Sequence, residues 1–303
     1  MIQNLHKPIM VNEILSFIHD VKNLSILDCT FGGGGHTKKF LEKDNFVTAI
    51  DQDKTAINIA NQLSKIHKKL SSFRLNFSDI DKIDKNILKN KFNFIFLDLG
   101  FSSNQLNDEN IGLSFKINSK LNMNYLDSNI SAYEIINDYS IEELTRVFND
   151  FGEIKHSKKL AEYIIKIRSN KLIKTNFELV DVLRNSGINF RSKKIHFATQ
   201  AFQALRIEAN KEIDNLNNFL KKVHLYIQNN GFLAILSFHS LEDRIVKNYF
   251  KSNNFNKKNK SFVNGFDWGY EILTKKPLTP SKVEIDDNNR SRSAKLRVGR
   301  FIN

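Results

Sequence analysis

Cysteine is almost absent from this chain, because Cys29 is the only one in 303 residues. A single cysteine excludes an intramolecular disulfide and a cysteine-based zinc cluster. No apolar run approaches the roughly 20 residues that a membrane-spanning helix requires, and the N-terminal MIQNLHKPIM lacks the apolar stretch of a signal peptide. We therefore expect a globular protein that stays in the cytoplasm.

Proline and glycine are also scarce, with 3 and 12 copies, whereas Lys, Asn, Ile and Phe are abundant. An AT-rich genome produces this bias by itself. The net charge of +13 is therefore weaker evidence for a polyanionic partner than it would be in a chain of ordinary composition, but it is still evidence for one. A strongly basic chain favours a polyanionic partner, and nucleic acid is the commonest one. The length, with 41% hydrophobic residues, is enough for one large core or for a core plus an inserted domain.

The most informative segment is SILDCTFGGGGHTKKFLEKDNFVTAIDQD, residues 25–53. It predicts a strand over 25–28, a glycine loop at 32–35, a helix that begins near His36, and a second strand that ends at Asp51. Glycines let the backbone approach a ligand closely, and the amides of the helix start favour negative charge. An acid about twenty residues beyond such a loop typically accepts hydrogen bonds from a ribose diol. The segment therefore predicts a nucleoside-cofactor site.

A dinucleotide dehydrogenase is the first rival interpretation, and its fingerprint requires a third glycine three positions after the second. Counted from Gly32 and Gly34, that position is Thr37, so the fingerprint fails. A glycine run that is only a tight turn stays open as the other alternative. A methyl donor that carries adenosine but no pyrophosphate fits the segment better.

Further strand ends complete the predicted site. The helical spacing of apolar residues predicts a helix from Lys54 to about Ile66. A strand is predicted over residues 72–77, and the apolar run NFIFLDLGF is typical of a central parallel strand that ends at Asp98. Ligands of open parallel sheets lie outside the carboxyl ends of the strands. Asp28, Asp51, Phe77 and Asp98 should therefore surround one crevice.

Amphipathic helices replace strands from about residue 131 to residue 230, which indicates a helical domain inserted in the sheet. The segments predicted as helices are SAYEIINDY, SIEELTRVFNDF, KHSKKLAEYIIKIRS, NFELVDVLRNSG and NKEIDNLNNFLKKVHLYI. The predicted boundaries are 1–108 and 206–303 for the two parts of the sheet domain and 109–205 for the insert. Many basic residues of the insert have the pattern of a phosphate-binding platform, although a solvated face is the plain alternative. They are Lys155, Lys158, Lys159, Lys166, Arg168, Lys171, Lys174, Arg191, Lys193 and Lys194.

The strand pattern resumes at GFLAILSF and leads into the helical HSLEDRIVKNYF, where Ser240 and Asp243 are predicted to form a capping pair. Residues 257–260 have the composition of a basic loop. WGYEILT and AKLRVGRFI are then predicted as the closing strands.

Taken in order, these motifs carry a resemblance to the RsmH (MraW) family of bacterial 16S rRNA cytosine-N4 methyltransferases. The shared motifs cover nearly the whole chain: HKPIMVNEIL, DCTFGGGGHT, AIDQD, LDLGFSSNQL, GLSF, FGEIKHSKKLA, HFATQAFQALRIEAN, LSFHSLEDRIVK and RSRSAKLR. The resemblance implies an α/β fold, with the doubly wound, Rossmann-like sheet of class I S-adenosylmethionine-dependent methyltransferases and an inserted all-helical domain. It implies S-adenosyl-L-methionine as cofactor and, as partner, 16S rRNA in the decoding centre (P site) of the small ribosomal subunit. The cofactor-binding residues that it implies are Gly34, Gly35, His36, Asp51, Phe77, Asp98 and Gln105.

Three departures from the family pattern concern the RNA side more than the cofactor side. Asn122, Asn124 and Tyr125 stand where the family commonly has an acid, an arginine and a methionine. Gln200 replaces a usual arginine, and Asn289 replaces a usual proline.

Asp98 has two candidate roles. It is a candidate catalytic group, which would accept a proton from the cytosine amine, and a candidate ligand of the donor's amino-acid end; donor binding is favoured. No metal is expected, because the donor's sulfonium already carries an activated methyl group. The alternatives are a DNA cytosine-N4 methyltransferase, disfavoured because no Pro-Pro motif follows Asp98, and a non-catalytic ribosome-assembly factor. The sequence leaves both a monomer and a homodimer open.

Overall fold

The computed structural model describes residues 7–18, 21–101, 105–106, 108–125, 130–188, 196–256 and 261–303. The chain divides into two compact units. The sheet unit comprises Met1–Gly100 and Asp214–Asn303, and the helical unit comprises Phe101–Ile213. No helix among the described residues is both long and apolar enough to cross a bilayer.

The sheet unit is built on seven strands in the order β3-β2-β1-β4-β5-β9-β8. The first five strands are parallel, whereas β9 runs antiparallel to β5 and β8 antiparallel to β9. The prediction of a doubly wound α/β sheet is confirmed, and the strand order reverses between β1 and β4, where such sheets bind ligands. The strands are β1 (Ser25–Asp28), β2 (Phe46–Asp51), β3 (Leu70–Arg74), β4 (Phe92–Asp98), β5 (Ile227–Ser237), β6 (Phe255–Asn256), β7 (Ser261–Phe262), β8 (Gly269–Ile272) and β9 (Lys295–Ile302), of which β6 and β7 form a separate ribbon.

Helices cover both faces of this sheet, so its central strands are apolar on both sides. In β4, Phe94 and Phe96 belong to one buried cluster, and Ile95 and Leu97 to the cluster on the other face. The helices of the sheet unit are α1 (Val11–Leu15), α2 (Gly35–Glu42), α3 (Lys54–Ile66), α4 (Lys85–Leu88), α11 (Ser240–Ser252) and α12 (Lys282–Asp287), with 3₁₀ turns at Ser16–Ile18, Phe77–Lys82, Val223–Leu225 and Asn289–Ser293.

The helical unit has its own buried core and no strand among its described residues. Three of its helices begin with a capping box, in which a Ser or Thr and a Glu three residues later exchange hydrogen bonds with each other's backbone. The helices are α5 (Ala132–Asp138), α6 (Ile141–Asp150), α7 (Ser157–Arg168), α8 (Asn176–Asn185) and α9 (Ala198–Asn210), followed by α10 (Glu212–Lys222), in which the unit ends.

The bounds of this unit differ from the predicted 109–205 by eight residues at each end. Residue 205 lies within α9, a helix that is not among the segments predicted as helices. Eight of its thirteen residues are buried, so α9 lacks the polar face that makes a helix visible in a sequence. Strand β5 also begins four residues before the predicted Gly231, because Ile227 pairs with Phe92.

Candidate active site

The loop between β1 and α2 forms the backbone of the candidate site. Phe31 N–H donates to the Ile50 carbonyl at 3.0 Å, and Gly34 N–H donates to the Phe31 carbonyl at 2.7 Å. Gly34 precedes α2 with φ of 75°, in the left-handed region, and no side chain caps the helix. A Cβ at Gly34 would lie 2.6 Å from Phe31 Cζ. The tight turn thus requires glycine, a residue that offers no side chain to cap α2.

Gly35 is required by the fold for a different reason. A Cβ at this position would lie 3.0 Å from Pro8 Cβ, because the segment before α1 packs against the start of α2. Its small size therefore serves packing whether or not a ligand contacts it.

Thr37 occupies the position at which a dinucleotide fold would have its third glycine. Its Oγ1 donates to Asp28 Oδ2 at 2.6 Å, and both side chains are buried. Burial raises the pKa of the Asp28 carboxyl to about 6, and the hydrogen bonds from Thr37 and from Thr30 N–H oppose the increase. A glycine here would remove a donor that Asp28 needs.

We predict that Thr37→Val lowers the free energy of unfolding of the sheet unit by about 1–3 kcal/mol, because a buried acceptor loses its partner. Thr37→Ser keeps the hydroxyl and loses only one methyl group, which is worth about 0.8 kcal/mol. Urea denaturation of both variants measures the difference. Equal unfolding midpoints for serine and valine would show that the hydrogen bond contributes nothing.

Asp51 ends β2 and receives two backbone hydrogen bonds. Gly32 N–H donates to Oδ2 at 2.8 Å, and Asp53 N–H donates to Oδ1 at 2.9 Å. Burial raises the pKa of Asp51 to about 6, although these hydrogen bonds lower it. Each oxygen of an ionised carboxylate has a second lone pair, so the two oxygens remain able to accept from a pair of hydroxyls.

This raised pKa predicts that donor affinity falls as the pH decreases through about 6. Below that pH the carboxyl is protonated and has lost part of its capacity to accept from ribose hydroxyls. Calorimetric titration of the donor between pH 5 and 8 measures the effect. Asp51→Asn binds the donor more weakly throughout, and we expect its pH dependence to be flatter. A variant profile parallel to that of the wild type would assign the titration to another group.

Phe77 lies near Asp51 in the fold but not at the end of a strand. The predicted strand 72–77 is wrong at both ends, since β3 covers Leu70–Arg74 and Phe77 opens a 3₁₀ turn. Asn76 Nδ2 donates to Gln52 Oε1 at 2.7 Å, which ties the turn to the residue after Asp51. The half-buried Phe77 ring meets Phe219 edge-on, with centroids 5.8 Å apart.

His36 and Asp98 face each other at the ends of α2 and β4. His36 Nδ1 lies 3.7 Å from Asp98 Oδ2, while His36 Nε2 is 2.9 Å from the Ile9 carbonyl. Because a carbonyl only accepts, Nε2 carries a proton, and Nδ1 faces the carboxyl. Asp98 N–H donates to Thr30 Oγ1 at 2.8 Å, whereas the buried Asp98 Oδ1 accepts no hydrogen bond from the residues that the structure describes. This oxygen remains available to a ligand.

Two buried acids, Asp28 and Glu242, lie close to the half-buried Asp98 in the sheet unit. Burial raises the pKa of Asp98 well above its usual range, and the negative charges of Asp28 and Glu242 raise it further. Glu242 is not among the sequence-predicted site residues, although a glutamate three residues after His239, at the start of a predicted helix, is a detectable signal. A cation bound among these acids would favour their ionised forms.

The predicted Ser240–Asp243 capping pair is wrong. His239 is the N-cap of α11, and its side chain exchanges the capping-box bonds with Glu242. Asp243 instead accepts from Arg297 Nε at 2.7 Å and from Lys295 Nζ at 3.2 Å, which fastens α11 to β9. The motif RSRSAKLR thus contributes structural cations to the sheet unit.

The structure gathers most of the predicted cofactor residues in the sheet unit: Gly34, Gly35, His36, Asp51, Phe77 and Asp98. The seventh, Gln105, is buried in the helical unit.

Two of the three departures from the family pattern lie in the helical unit. Tyr125 Oη donates to Glu212 Oε1 at 3.0 Å, and Arg206 Nε pairs with the same oxygen at 2.9 Å. Gln200 Nε2 donates to the Gly152 carbonyl at 2.9 Å. Arg206 and Glu212 thus form an ion pair beside Tyr125. Asn289 lies in the sheet unit, in the 3₁₀ turn before β9.

Comparison with known proteins covers the chain almost from end to end. Residues 3–302 match the model of the MraW methylase family. A ribosomal RNA small subunit methyltransferase H of Brachyspira hyodysenteriae is 36% identical over 98% of this chain and 97% of its own. Proteins of the same name from Clostridium botulinum and Rickettsia canadensis are each 38% identical, over 98% and 99% of this chain and 99% of their own. An rRNA methylase structure from Streptococcus thermophilus is 9% identical, with a TM-score of 0.43, over 99% of this chain and 100% of that one.

A family match over this length includes both the sheet unit and the helical unit. The chain therefore belongs to the MraW methylase family.

Proposed function

We infer that this protein transfers a methyl group from S-adenosyl-L-methionine to the exocyclic N4 amine of a cytosine in the decoding centre of 16S rRNA. One observation carries this proposal: relatives named ribosomal RNA small subunit methyltransferase H match 97–99% of their own length. The similarity thus extends through the helical unit and not only through a donor-binding sheet. The cytosine and its N4 atom follow from the motif resemblance.

The residues of the sheet unit fit the donor. A Cβ at Gly34 would fill the turn below the helix start, and Asp98 has a buried oxygen without a donor from the described residues. In this proposal Gly34, Gly35 and His36 hold the amino-acid end with the amides of α2, and Asp98 receives the ammonium. Asp51 receives the ribose hydroxyls and Phe77 flanks the adenine, whereas Gln105 is assigned to the donor by the motif resemblance alone.

Positioning is the main task of the chain. The bound donor supplies an activated methyl group on a sulfonium, so no metal is needed to activate it. Correct alignment of the reacting groups supplies roughly 7–11 kcal/mol in favourable cases. Rigid secondary structure aligns reacting groups best. Asp98 ends β4, which is hydrogen-bonded to β1 on one side and to β5 on the other.

The accepting amine needs a hydrogen-bond acceptor, because its lone pair is delocalised into the cytosine ring. An acceptor for its protons localises that pair and stabilises the positive charge that develops as the nitrogen–carbon bond forms and the methyl–sulfur bond breaks. The surplus amine proton then passes to solvent or, where Asp98 is the acceptor, to its carboxylate. The backbone carbonyls near Leu99 and Gly100 are our candidates, since Gly100 has φ of 107° and turns the chain at this point. Asp98 is the alternative acceptor. An unpaired base in an rRNA loop reaches such a site at lower cost than a base inside a duplex.

The basic residues of the helical unit have different roles. Arg168 is structural, because its guanidinium donates to the Ile136 and Tyr139 carbonyls at 2.6 Å each. Arg191, Lys193 and Lys194, like the predicted basic loop 257–260, lie outside the described residues. The exposed cations that remain candidates for phosphates are Lys155, Lys158, Lys159, Lys166, Lys171 and Lys174.

The test is methyl transfer from isotopically labelled donor to small subunits that lack the modification, to naked rRNA and to DNA, followed by nucleoside analysis. Labelled N4-methylcytidine from subunits is the expected result. Label in DNA alone would replace the RNA assignment with a DNA cytosine-N4 methyltransferase. Donor binding without any transfer to RNA or DNA would contradict the proposal and favour an assembly factor.

A further inference from the structure

The peptide group between Ile9 and Met10 is held from both sides within the sheet unit. Its carbonyl accepts from His36 Nε2 at 2.9 Å, and its N–H donates to Glu284 Oε1 at 2.7 Å. Ile9 and Met10 are buried, and Glu284 is half-buried. A peptide group is planar, so a bond that fixes the N–H also fixes the direction of the carbonyl. Glu284 therefore acts on His36 through one rigid group, although it lies 274 positions beyond Met10.

Glu284 does not make the bond that its local sequence predicts. Ser281 is the N-cap of α12, and its Oγ accepts from Glu284 N–H at 3.1 Å. In a capping box the glutamate would return a bond to the N–H of the cap residue, as Glu242 does at the start of α11. Glu284 instead directs its carboxylate to Met10 N–H. A role limited to stabilising α12 does not account for this long-range bond.

The backbone of Met10 is held against its own preference. Met10 has φ of 55° and ψ of 36°, in the left-handed region, which is uncommon for a residue other than glycine. Such a conformation persists only where the surrounding structure imposes it. Pro8 packs against the start of α2, and Glu284 binds the N–H on the other side. These contacts hold the peptide group in a fixed orientation.

The orientation of this peptide group decides which nitrogen of His36 faces Asp98. With Nε2–H bound to the Ile9 carbonyl, Nδ1 lies 3.7 Å from Asp98 Oδ2. The buried ring also packs against Phe96, with centroids 4.7 Å apart. Hydrogen bonds in series polarise one another, so a carboxylate on the N–H makes the carbonyl a stronger acceptor for Nε2–H. Without that acceptor the neutral ring can carry its proton on Nδ1 and donate it to Asp98, in competition with the ammonium of the donor.

We propose that Glu284 is a positioning residue of the donor site, which holds His36 with a proton on Nε2 so that Asp98 stays available to the donor's ammonium. This inference rests on the proposed roles of His36 and Asp98 in donor binding and adds a residue that acts through His36. The connection between β8 and β9, which carries α12, then contributes to donor affinity as well as to packing.

Nuclear magnetic resonance of the full chain, with histidine labelled at its ring nitrogens, detects the proton on Nε2 directly. The chain has eight histidines, so the His36 signal is assigned by its absence from His36→Asn. We expect a slowly exchanging Nε2–H in the wild type and fast exchange in Glu284→Ala. Glu284→Gln should lie between them, because glutamine keeps the acceptor and loses the charge. Calorimetry should show donor binding roughly 3- to 10-fold weaker in Glu284→Ala, the effect of about one hydrogen bond.

Asp287→Asn is the matched control. Asp287 is an exposed acid of the same helix, and it pairs with Lys7, which precedes the Ile9–Met10 peptide by two residues. The variant removes a tether to the same N-terminal residues and leaves the bond to Met10 N–H in place. We expect the His36 signal and the donor affinity of the wild type.

Thermal stability separates positioning from simple support. If Glu284→Ala melted at a lower temperature but kept the His36 signal and the donor affinity, Glu284 would only satisfy a buried N–H, and the inference would be wrong. Equal effects of Asp287→Asn and Glu284→Ala would overturn it as well. Where the alanine variant fails to fold, the glutamine variant decides, and exchange as slow as in the wild type would contradict the inference. None of these measurements involves RNA, so label on another nucleoside would overturn the proposed function alone.

Discussion

Gly34→Ala is expected to weaken donor binding by roughly 100-fold, which corresponds to about 2.7 kcal/mol. The added Cβ would lie 2.6 Å from Cζ and 2.9 Å from Cε2 of Phe31, a buried ring at the base of the turn. Overpacking of this kind typically costs 1–3 kcal/mol, and the left-handed backbone of a non-glycine residue costs about 1–2 kcal/mol more. Relief of the clash moves the start of α2, and with it the amides that hold the donor. Calorimetry with the donor measures the change.

Gly265→Ala is a control that separates the cost of the left-handed backbone from the cost of the clash with Phe31. Gly265 also lies in the sheet unit, with φ of 73°, but no atom lies within 4 Å of the position that its Cβ would take. This variant incurs the backbone penalty without a clash, so we expect a modest loss of stability and a donor affinity close to that of the wild type. Equal donor affinities for Gly34→Ala and Gly265→Ala would show that the Phe31 ring moves aside without displacing the start of α2.

Local features of the sequence were sufficient to predict several elements of the sheet unit. The strand over residues 25–28 and the helix over residues 54–66 were predicted with the bounds that the structure has. Both have strong local signals, namely an apolar run that stops at a loop and a 3.6-residue period after an Asp53 cap. The left-handed Gly34 is likewise recognisable, because few other residues adopt that backbone without strain.

Features that depend on distant partners were not predictable. The 3₁₀ turn that opens at Phe77 is held by Asn76 and Gln52, residues of separate segments. Asp243 forms its ion pair with Arg297, fifty-four positions away, which no helix-capping pattern reveals. The approach of Glu242 to Asp98 depends on α11 following β5, the strand beside β4. Sequence periodicity describes single elements and carries no information on such pairings.

Donor binding is expected to release protons from the wild-type chain. The pKa of Asp98 is raised well above its usual range by burial and then by Asp28 and Glu242, so its protonated form is favoured relative to that of an exposed carboxyl before the donor arrives. The donor's ammonium and sulfonium favour the carboxylate and displace that proton. At about pH 7.5 Asp28 and Asp51, whose pKa values are near 6, are almost fully ionised. Asp98 is therefore the expected source of any proton released at this pH.

Calorimetry in two buffers of different ionisation enthalpy counts the released protons, and Asp98→Asn should release none. The same variant is expected to bind the donor about 10- to 150-fold more weakly, because a charge-assisted hydrogen bond is worth about 1.5–3 kcal/mol. Asp44→Asn is the control, since Asp44 is an exposed acid of the same unit that pairs with Lys69. If Asp98→Asn bound the donor normally and lost only the rate of methyl transfer, Asp98 would be the proton acceptor for the amine, and its binding role would be wrong. A loss of donor affinity with an unchanged transfer rate at saturating donor would leave the carbonyls near Leu99 and Gly100 as the acceptors.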